Sequence, residues 1–554
     1  MQKIDVLKIY QRKHALIIDD FPDMRGSIRR MLVNFGISKI ETASNGEEAI
    51  TQCENNNFDI ILCDYNLGDA KNGQQILEEL RFRKLLKQTT GYMMITAETT
   101  KSMVFGALEY QPDDYLTKPF TQTVLQKRLD RLMLEKETLS DINQAVDDCD
   151  YDHAIALCDE HIAAKDRYEQ KCYRIKARCF FLKHMFPKAR TIYEQVLDER
   201  PLEWAQIGLG QCLMEMGELN EAERLFQQLV DQNCLCLEVY DYLAEVKSRI
   251  GDIVSAQQLL EYASEISPNA ILRQQKLADL SEHTGDWERA EKAHRKVMKL
   301  GANSCYESPD NYFNLVRCIS SQVRMSEKKD NKRVKDAEEV LDRARRRYRD
   351  DPAVRLQTDI LNAGVYADAG QPEESRKRIE ALAPKLTANS ASANPAPEVT
   401  LELARCYQAM GDKEQAQALL RELAELYPDD ENIGKEIDRL SDEPLSKKGK
   451  EEAVELNRRG KELLSNQEYP QAISLFSEAL RHYPNNIAVK LNLLLALIRE
   501  MDRNGSDEKQ LTRAEQIIHS IDTLQEDHPL HDRFHTLWEY VEQLREQFTE
   551  EDDE

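Results

Sequence analysis

The sequence contains little that would indicate a disulfide-stabilised or membrane-inserted protein. Its twelve cysteines are scattered over 554 residues without a CxxC pair, which is typical of reduced cysteines in the cytosol. No apolar run approaches the length that spans a bilayer, and the first residues lack the apolar stretch of a signal peptide. We therefore expect a cytoplasmic protein without membrane insertion.

Basic character and catalytic motifs are also scarce. The formal net charge of -25 argues against nucleic acid as a partner, because nucleic-acid binding needs a basic face. No P-loop, HExxH or GxSxG motif occurs. The basic run Arg343–Arg349 follows acidic residues on one predicted helix, so an internally paired, solvated face is favoured over a nucleic-acid site. Similarly, a solvated or half-buried helix face is favoured over a metal site for His528, His531 and His535.

Five short apolar segments alternate with helical patterns in the first 135 residues. The segments are HALIID, SKIETA, FDIILC, GYMMIT and DDYL, and the predicted helices cover residues 25–35, 47–56, 74–86, 101–109 and 121–135. This alternation predicts an α/β fold with a doubly wound, five-stranded parallel sheet. Ligands of such sheets bind at the carboxyl ends of the strands.

Polar residues stand at those strand ends. Asp19 and Asp20 follow the first strand, Asp64 follows the third, Thr96 ends the fourth and Lys118 follows the fifth. Carboxylates that converge at one edge repel each other, and Mg²⁺ relieves that repulsion. A carboxylate beside Mg²⁺, a hydroxyl and an ammonium forms a site suited to phosphoryl transfer, with the carboxylate as nucleophile.

These residues resemble the receiver domain of response regulators, which is CheY-like and has a flavodoxin-like fold. The resemblance covers about the first quarter of the chain. It implies Mg²⁺ as cofactor and the following roles: metal ligands at Asp19, Asp20, Asp64 and the backbone carbonyl of Asn66; phosphoacceptor at Asp64; phosphoryl-binding hydroxyl at Thr96; phosphate-pairing ammonium at Lys118, with a cis bond to Pro119; and a rotating aromatic switch at Tyr115.

The loop after the predicted phosphoacceptor departs from the family pattern. The family usually has D-x-x-[M/L]-P followed shortly by glycine, whereas this chain has Gly68 in place of the proline. The loop also looks one residue longer before Gly73. The chemistry remains possible, but the rigidity of the loop and the rate of dephosphorylation are left open.

A period of 34 residues dominates the middle of the chain. Ala222, Ala256 and Ala290 recur at this spacing, as do the three glycines at 217, 251 and 285. Small residues let paired helices approach closely, and a glycine at the turn supplies a positive φ. The pattern resembles the tetratricopeptide repeat, most strongly over residues 203–302, and this repeat implies an all-α superhelix that binds other proteins.

The predicted organisation has four parts. Residues 1–135 form the receiver domain, residues 136–440 a repeat array with insertions near 324–335 and 387–397, residues 451–545 further C-terminal repeats, and residues 546–554 an acidic tail that we expect to be disordered. The resemblance places five residues in the groove of the early repeats: Arg174, Arg178, Trp204, Gln211 and Met214. Trp204 is either a peptide anchor or a packing residue against the preceding repeat.

Together these features predict a two-component response regulator. A sensor histidine kinase would phosphorylate Asp64, and the repeats would bind and regulate, or scaffold, a target protein. We expect no enzymatic activity other than self-catalysed phosphoryl transfer and dephosphorylation. The alternative is a pseudo-receiver scaffold that is not phosphorylated. The sequence leaves open the kinase, the target, the sign of regulation and whether the chain forms a homodimer.

Overall fold

The structure is a computed structural model that describes residues 6–68, 71–97, 111–232, 236–326, 331–390, 396–505, 508–521, 524 and 528–552. The chain divides into two compact units. The first comprises Met1–Val246, Val254–Thr284 and Lys292–Ser308, and the second comprises Lys247–Ile253, Gly285–Glu291 and Pro309–Glu554. Among the described residues, no helix is long and apolar enough to cross a membrane.

A parallel β-sheet forms the N-terminal part of the first unit. Its strands are β1 (His14–Ile18), β2 (Lys39–Ala43), β3 (Ile60–Asp64), β4 (Gly91–Thr96) and β5 (Asp114–Thr117), in the order β2-β1-β3-β4-β5. All four pairings are parallel. The predicted doubly wound sheet of five strands is therefore confirmed.

Helices cover both faces of this sheet. They are α1 (Val6–Tyr10), α2 (Pro22–Phe35), α3 (Gly46–Asn55), α4 (Gly73–Phe82) and α5 (Gln122–Thr138). Alternate strand residues point into two separate cores: Ile17 packs with α2 and α5, and Ile18 packs with α3 and α4. The sequence did not predict α1, and the helix predicted at 101–109 lies outside the described residues.

The described residues beyond α5 contain helices and no strand. In chain order they are α6 (Ser140–Asp147), α7 (Tyr151–Ala164), α8 (Glu169–Leu182), α9 (Phe186–Glu199), α10 (Glu203–Glu215), α11 (Leu219–Asp231), α12 (Leu237–Ile250), α13 (Ile253–Ile266), α14 (Ile271–His283), α15 (Trp287–Gly301), α16 (Asp310–Met325), α17 (Asn331–Arg347), α18 (Pro352–Asp368), α19 (Pro372–Ser390), α20 (Pro397–Ala409), α21 (Lys413–Leu426), α22 (Glu431–Leu440), α23 (Lys447–Ser465), α24 (Tyr469–His482), α25 (Ile487–Asn504), α26 (Glu508–Ser520) and α27 (His531–Asp552). The expectation of an all-α region after the sheet is confirmed.

Two local expectations were wrong. The predicted loop at 387–397 begins later, because α19 continues through Ser390. The predicted disordered tail is helical over most of its length, because α27 continues through Asp552.

Glycines shape the repeats as the sequence predicted. Gly217, Gly251 and Gly285 all have positive φ, between 74° and 99°, at the turns between paired helices. Inside α10, a Cβ on Gly210 would lie 2.3 Å from the ring of Phe226, whose side chain is fully buried. A glycine is therefore required there for the two helices to pack.

We predict that Gly210→Ala destabilises the repeats by about 1–3 kcal/mol, the usual cost of overpacking a close contact. The measurement is urea unfolding of the full chain followed by circular dichroism. Gly364→Ala is the matched control, because a Cβ at this helical glycine meets nothing within 4 Å. A Gly210→Ala midpoint equal to that of the unsubstituted chain would contradict the packing argument.

Candidate functional site

Three strand ends bring the predicted site residues to one edge of the sheet. Asp19 follows β1, Asp64 ends β3 and Lys118 follows β5. Because the strands are parallel, their carboxyl ends meet at the same edge. The peptide bond between Lys118 and Pro119 is cis, as the resemblance implied.

The carboxylates and the lysine are close together. One carboxylate oxygen each from Asp19, Asp20 and Asp64 lies within 4.8 Å of the others. The Lys118 Nζ is 2.9 Å from Asp19 Oδ2 and 3.0 Å from Asp64 Oδ2. The site therefore brings three acidic groups together with one ammonium, which pairs with only two of them, and it can accept further positive charge.

Burial and charge act against each other on Asp64. Burial raises the pKa of this carboxyl group, the hydrogen bond and charge of Lys118 lower it, and the neighbouring Asp19 raises it again, with a net upward shift. For Lys118, burial lowers the pKa, but its hydrogen bonds to Asp19 and Asp64 outweigh burial and raise it overall. Lys118 is therefore firmly charged, whereas the carboxylate of Asp64 needs cations beside it.

The donor set fits Mg²⁺. Asp20 Oδ1 is buried and has no hydrogen-bond partner, although a buried carboxylate oxygen normally has one. Carboxylate oxygens are ligands that Mg²⁺ prefers, and a cation beside Asp20 would satisfy this oxygen. Asn66, whose backbone carbonyl is the further ligand implied by the resemblance, lies in the loop after β3, and its side chain is exposed.

Thr96 and Tyr115 lie on the two neighbouring strands β4 and β5. Thr96 is fully buried at the end of β4 and its carbonyl accepts a hydrogen bond from the Lys118 backbone at 2.6 Å. In the register of these strands Tyr115 pairs with Met94, two residues before Thr96. Side chains two residues apart point to the same face, so Tyr115 and Thr96 share a face of the sheet.

Gly73 and Tyr92 are functional candidates to which sequence reasoning assigned no role. A Cβ on Gly73 would lie 2.3 Å from the backbone oxygen of Asp64, so the return of the loop past Asp64 requires glycine. The buried Tyr92 hydroxyl donates to the Gly73 carbonyl at 3.1 Å and fixes this return. The sequence signal for Gly73 is its position after the loop that follows Asp64. No local pattern in the sequence distinguishes Tyr92.

The five predicted groove residues do not form one open surface. Arg174 and Arg178 are exposed on α8, but Met214 is buried and cannot line a groove. Trp204 is half-buried and packs edge to face on Tyr193 at 6.1 Å between ring centroids, which fits the packing alternative. The Gln211 amide donates a hydrogen bond to the hydroxyl of Tyr242.

In the two weaker clusters of the sequence, the histidines near residue 531 and the basic run, the structure shows ion pairs with acidic neighbours. Among the described residues, Asp19, Asp20 and Asp64 are the only group of three acidic, histidine or cysteine side chains placed to hold a metal ion. His535 pairs with Glu539 on its own helix. In the basic run, Arg345 pairs with Asp342 and Asp359, as the solvated alternative implied.

Comparisons with known proteins agree with this geometry. The family model described as the response regulator receiver domain matches residues 15–130, and a tetratricopeptide repeat model matches residues 204–233 and 398–430. The chemotaxis protein CheY-3 of Vibrio cholerae is 30% identical over 117 residues, which are 21% of this chain and 88% of the relative. The chemotaxis protein CheY of Pseudomonas aeruginosa is also 30% identical over 117 residues, 21% of this chain and 93% of the relative.

Solved structures of the same kind are similar to the first quarter of the chain. Vibrio cholerae CheY4 shares 27% sequence identity, with 22% of this chain and 98% of that chain covered and a TM-score of 0.20. A CheY-like receiver domain protein from Methanospirillum hungatei shares 25% identity, with 23% and 97% covered and a TM-score of 0.21.

On its sequence match and its site, the chain belongs to the response regulator family, through a receiver domain matched over residues 15–130. It is in particular a response regulator in which the receiver is followed by tetratricopeptide repeats.

We predict that Mg²⁺ stabilises the chain through the three carboxylates. At one hundred times its Kd, a ligand that binds only the folded state adds about 2.7 kcal/mol to the free energy of unfolding. Asp20→Asn should weaken Mg²⁺ binding at least about tenfold, because it removes the charge of a ligand. The measurement is the thermal unfolding midpoint during a MgCl₂ titration.

The control is Asp23→Asn, which removes an exposed carboxylate three residues away and should leave the Mg²⁺ response intact. Equal loss of the response in both variants would mean that general electrostatics, not the site, binds the cation.

Proposed function

We propose that this chain is a two-component response regulator that a sensor histidine kinase phosphorylates on Asp64, and that its repeats bind and regulate, or scaffold, a partner protein. The observation that carries the proposal is the convergence of Asp19, Asp20 and Asp64 at one strand edge, where Lys118 pairs with Asp19 and Asp64. Buried acidic groups around one cation are costly for stability, so they indicate a site built for a charged reaction.

In the proposed reaction, a carboxylate oxygen of Asp64 attacks the phosphorus of a phosphohistidine on the kinase. The new O–P bond forms while the P–N bond breaks, and the histidine nitrogen leaves with the electron pair. Lys118, 3.0 Å from Asp64 Oδ2, neutralises the negative charge on the phosphoryl oxygens. Mg²⁺, held by the three carboxylates and the carbonyl of Asn66, would supply further positive charge for the same oxygens.

We propose that Thr96 and Tyr115 change position when Asp64 carries a phosphoryl group. The Thr96 hydroxyl would move to bond it, and Tyr115 would follow into the space that is vacated. Their shared face of the sheet supports this coupling, as does the half-buried position of Tyr115 against the core of α3 and α4. The phosphorylated state would then be favoured by contacts that the unphosphorylated state lacks.

The repeats are the proposed output. Tetratricopeptide repeats are protein-binding structures, and the matched repeats at 204–233 and 398–430 support a protein partner rather than a small substrate. Of the groove residues, Arg174 and Arg178 keep exposed side chains and remain the proposed contacts in the early repeats. Two arginines on one helix suit a partner with an acidic segment.

We predict that acetyl phosphate with Mg²⁺ adds one phosphoryl group to the chain and none to Asp64→Asn. Intact-mass spectrometry measures the addition directly. Lys118→Ala should slow it by a factor of roughly 10² or more, since one charge-stabilising contact in a phosphoryl-transfer site contributes about that much. Asp23→Asn is the control that should react like the unsubstituted chain.

If the unsubstituted chain takes up no phosphoryl group from acetyl phosphate or from histidine kinases, the pseudo-receiver alternative holds. The chain would then act as a scaffold whose partner binding is indifferent to phosphodonors.

A further inference from the structure

Two cysteines face each other in the first core of the helical region. Cys158 lies on α7, and Cys172 lies on α8, which follows after the turn at 165–168. Both side chains are 0% exposed and belong to one apolar cluster with Leu139 and Ile142. The Cys158 thiol donates a hydrogen bond to the sulfur of Cys172. The two sulfur atoms are therefore in contact across a pair of neighbouring helices.

The surroundings of Cys172 favour its thiolate. The hydrogen bond from Cys158 lowers the pKa of this thiol, burial raises it, and the positive charge that His161 carries when protonated lowers it again, with a net downward shift. Cys172 also lies near the N-terminus of α8, where the helix dipole favours a negative charge. By contrast, burial raises the pKa of the thiols of Cys53 and Cys212 to about 12.

A histidine and an aspartate stand beside the cysteine pair. His161 lies three residues after Cys158, so the two side chains are neighbours on the surface of α7. The Nδ1 atom of His161 is 2.5 Å from Asp166 Oδ2, and the other oxygen of Asp166 accepts from the Tyr168 backbone nitrogen at 2.7 Å. The side chain of His161 is 26% exposed. It therefore extends from the buried pair to water and can carry a proton between them.

Packing alone does not require this arrangement. A structural cysteine in a core acts as a small apolar side chain, and its thiol is inert. A cysteine that reacts with oxidants needs a stabilised thiolate, a group that accepts the thiol proton, and a second thiol within reach. Cys172, His161 and Cys158 supply these three requirements in that order.

We propose that Cys158 and Cys172 form a reversible disulfide, which links α7 to α8, when the chain meets a peroxide. The Cys172 thiol gives its proton to His161, and its sulfur attacks one oxygen of hydrogen peroxide. An S–O bond forms while the O–O bond breaks, and the leaving hydroxide takes the proton from His161 and becomes water.

The second step closes the disulfide. The sulfur of Cys158 attacks the sulfur of Cys172, so that the S–S bond forms while the S–O bond breaks. The hydroxyl group leaves with the proton of the Cys158 thiol as a second water. Two thiols are thus oxidised and one peroxide is reduced to two waters.

The disulfide would restrain the helix pair that contains it. An ion pair of 2.5 Å between Lys176 Nζ and Asp159 Oδ1 already joins α8 to α7 at the surface. A covalent link in the core restricts the opened form of the segment between the cysteines and so disfavours opening. Local opening of α7 and α8 then depends on the redox state of the chain. This control goes beyond the proposed function, because it does not involve the phosphoryl group on Asp64.

The test treats the full chain with hydrogen peroxide, blocks the remaining thiols in denaturant and maps the tryptic peptides by mass spectrometry. Cleavage after Lys171 and Arg174 leaves Cys172 in a peptide with no other cysteine. Peroxide should join this peptide to the one that contains Cys158, and dithiothreitol should separate them. Cys149→Ser is the control, because it removes an exposed cysteine from the Cys158 peptide and should leave the link intact.

Two variants test the roles within the site. Cys158→Ser should stop the reaction at the sulfenic acid of Cys172, which dimedone traps. His161→Gln should slow disulfide formation at least about tenfold, because the Cys172 thiol loses its proton acceptor. His153→Gln is the matched control, since this exposed histidine lies at the other end of the same helix.

Hydrogen exchange measures the consequence for the fold. Oxidation should slow amide exchange in residues 151–182 at least about tenfold, and dithiothreitol should restore the original rate. Cys158→Ser should show no such slowing after the same treatment. Asp64→Asn should respond to peroxide like the unsubstituted chain.

The peptide map decides the proposal without any variant. Oxidation of Cys149 under conditions that leave Cys158 and Cys172 reduced would show that the buried pair is inert and would overturn the proposal. A link from Cys172 to Cys149 instead of Cys158 would overturn it as well. An unchanged rate in His161→Gln would remove His161 from the reaction.

Discussion

The ammonium of Lys118 holds the acidic edge of the sheet together. It lies within 3.0 Å of oxygens from two buried carboxylates that come from different strands. Without it, burial and the neighbouring Asp19 would raise the pKa of Asp64 further, and the strand ends would carry unpaired charge. The loops after β1, β3 and β5 are therefore constrained by one cation. The orphaned oxygen of Asp20 shows that this single ammonium does not satisfy the whole site.

The sequence predicted this edge well because its signals are local. Asp19, Asp64 and Thr96 each end an apolar run, and parallel strands bring such residues together whatever lies between them. Tyr92 escaped prediction because a tyrosine within an apolar strand looks like core, and only the fold shows its hydroxyl reaching Gly73. The acidic residues could be predicted from the sequence itself. The supporting role of Tyr92 follows only from its hydrogen bond to Gly73.

The hydrophobic periodicity of a segment does not reveal burial by residues that lie far away in the chain. The segment GQQILEELRF has the pattern of an amphipathic helix with a solvated polar face, and nothing within it marks Glu78 and Glu79 as buried. Residues that contact this helix, Leu300 and Tyr306, lie far along the chain. The prediction that Met214 lines a groove was wrong for a related reason. The 34-residue period places Trp204 and Met214 within a repeat, but the side chains of adjacent helices decide whether they reach solvent.

The repeats are specified by contacts between near neighbours. Phe226 occupies the space that Gly210 leaves, and Phe476 occupies the space that Gly460 leaves, in each case 16 residues further along. Such pairs bind one helix to the next and require no distant partner. The two regions of the chain thus follow different rules: the sheet depends on residues far apart in sequence, whereas each repeat depends on its own helices and on those of its neighbours.

The junction between α5 and α6 governs how the chain can be divided. Leu139 alone separates the two helices, and it is buried in the first core of the helical region. Just before it, Lys136 pairs with Asp113 and Glu137 pairs with Arg12. Residues beyond 135 therefore contribute contacts to the α/β region. A receiver excised at the boundary inferred from sequence would lose both ion pairs. A fragment that ends after α5 would keep them but would lose Leu139 and the core that it forms with Ile142 and Cys158. A single residue connects α5 to α6, and the last turn of α5 forms ion pairs with the α/β region. No flexible linker therefore separates the two regions at this point.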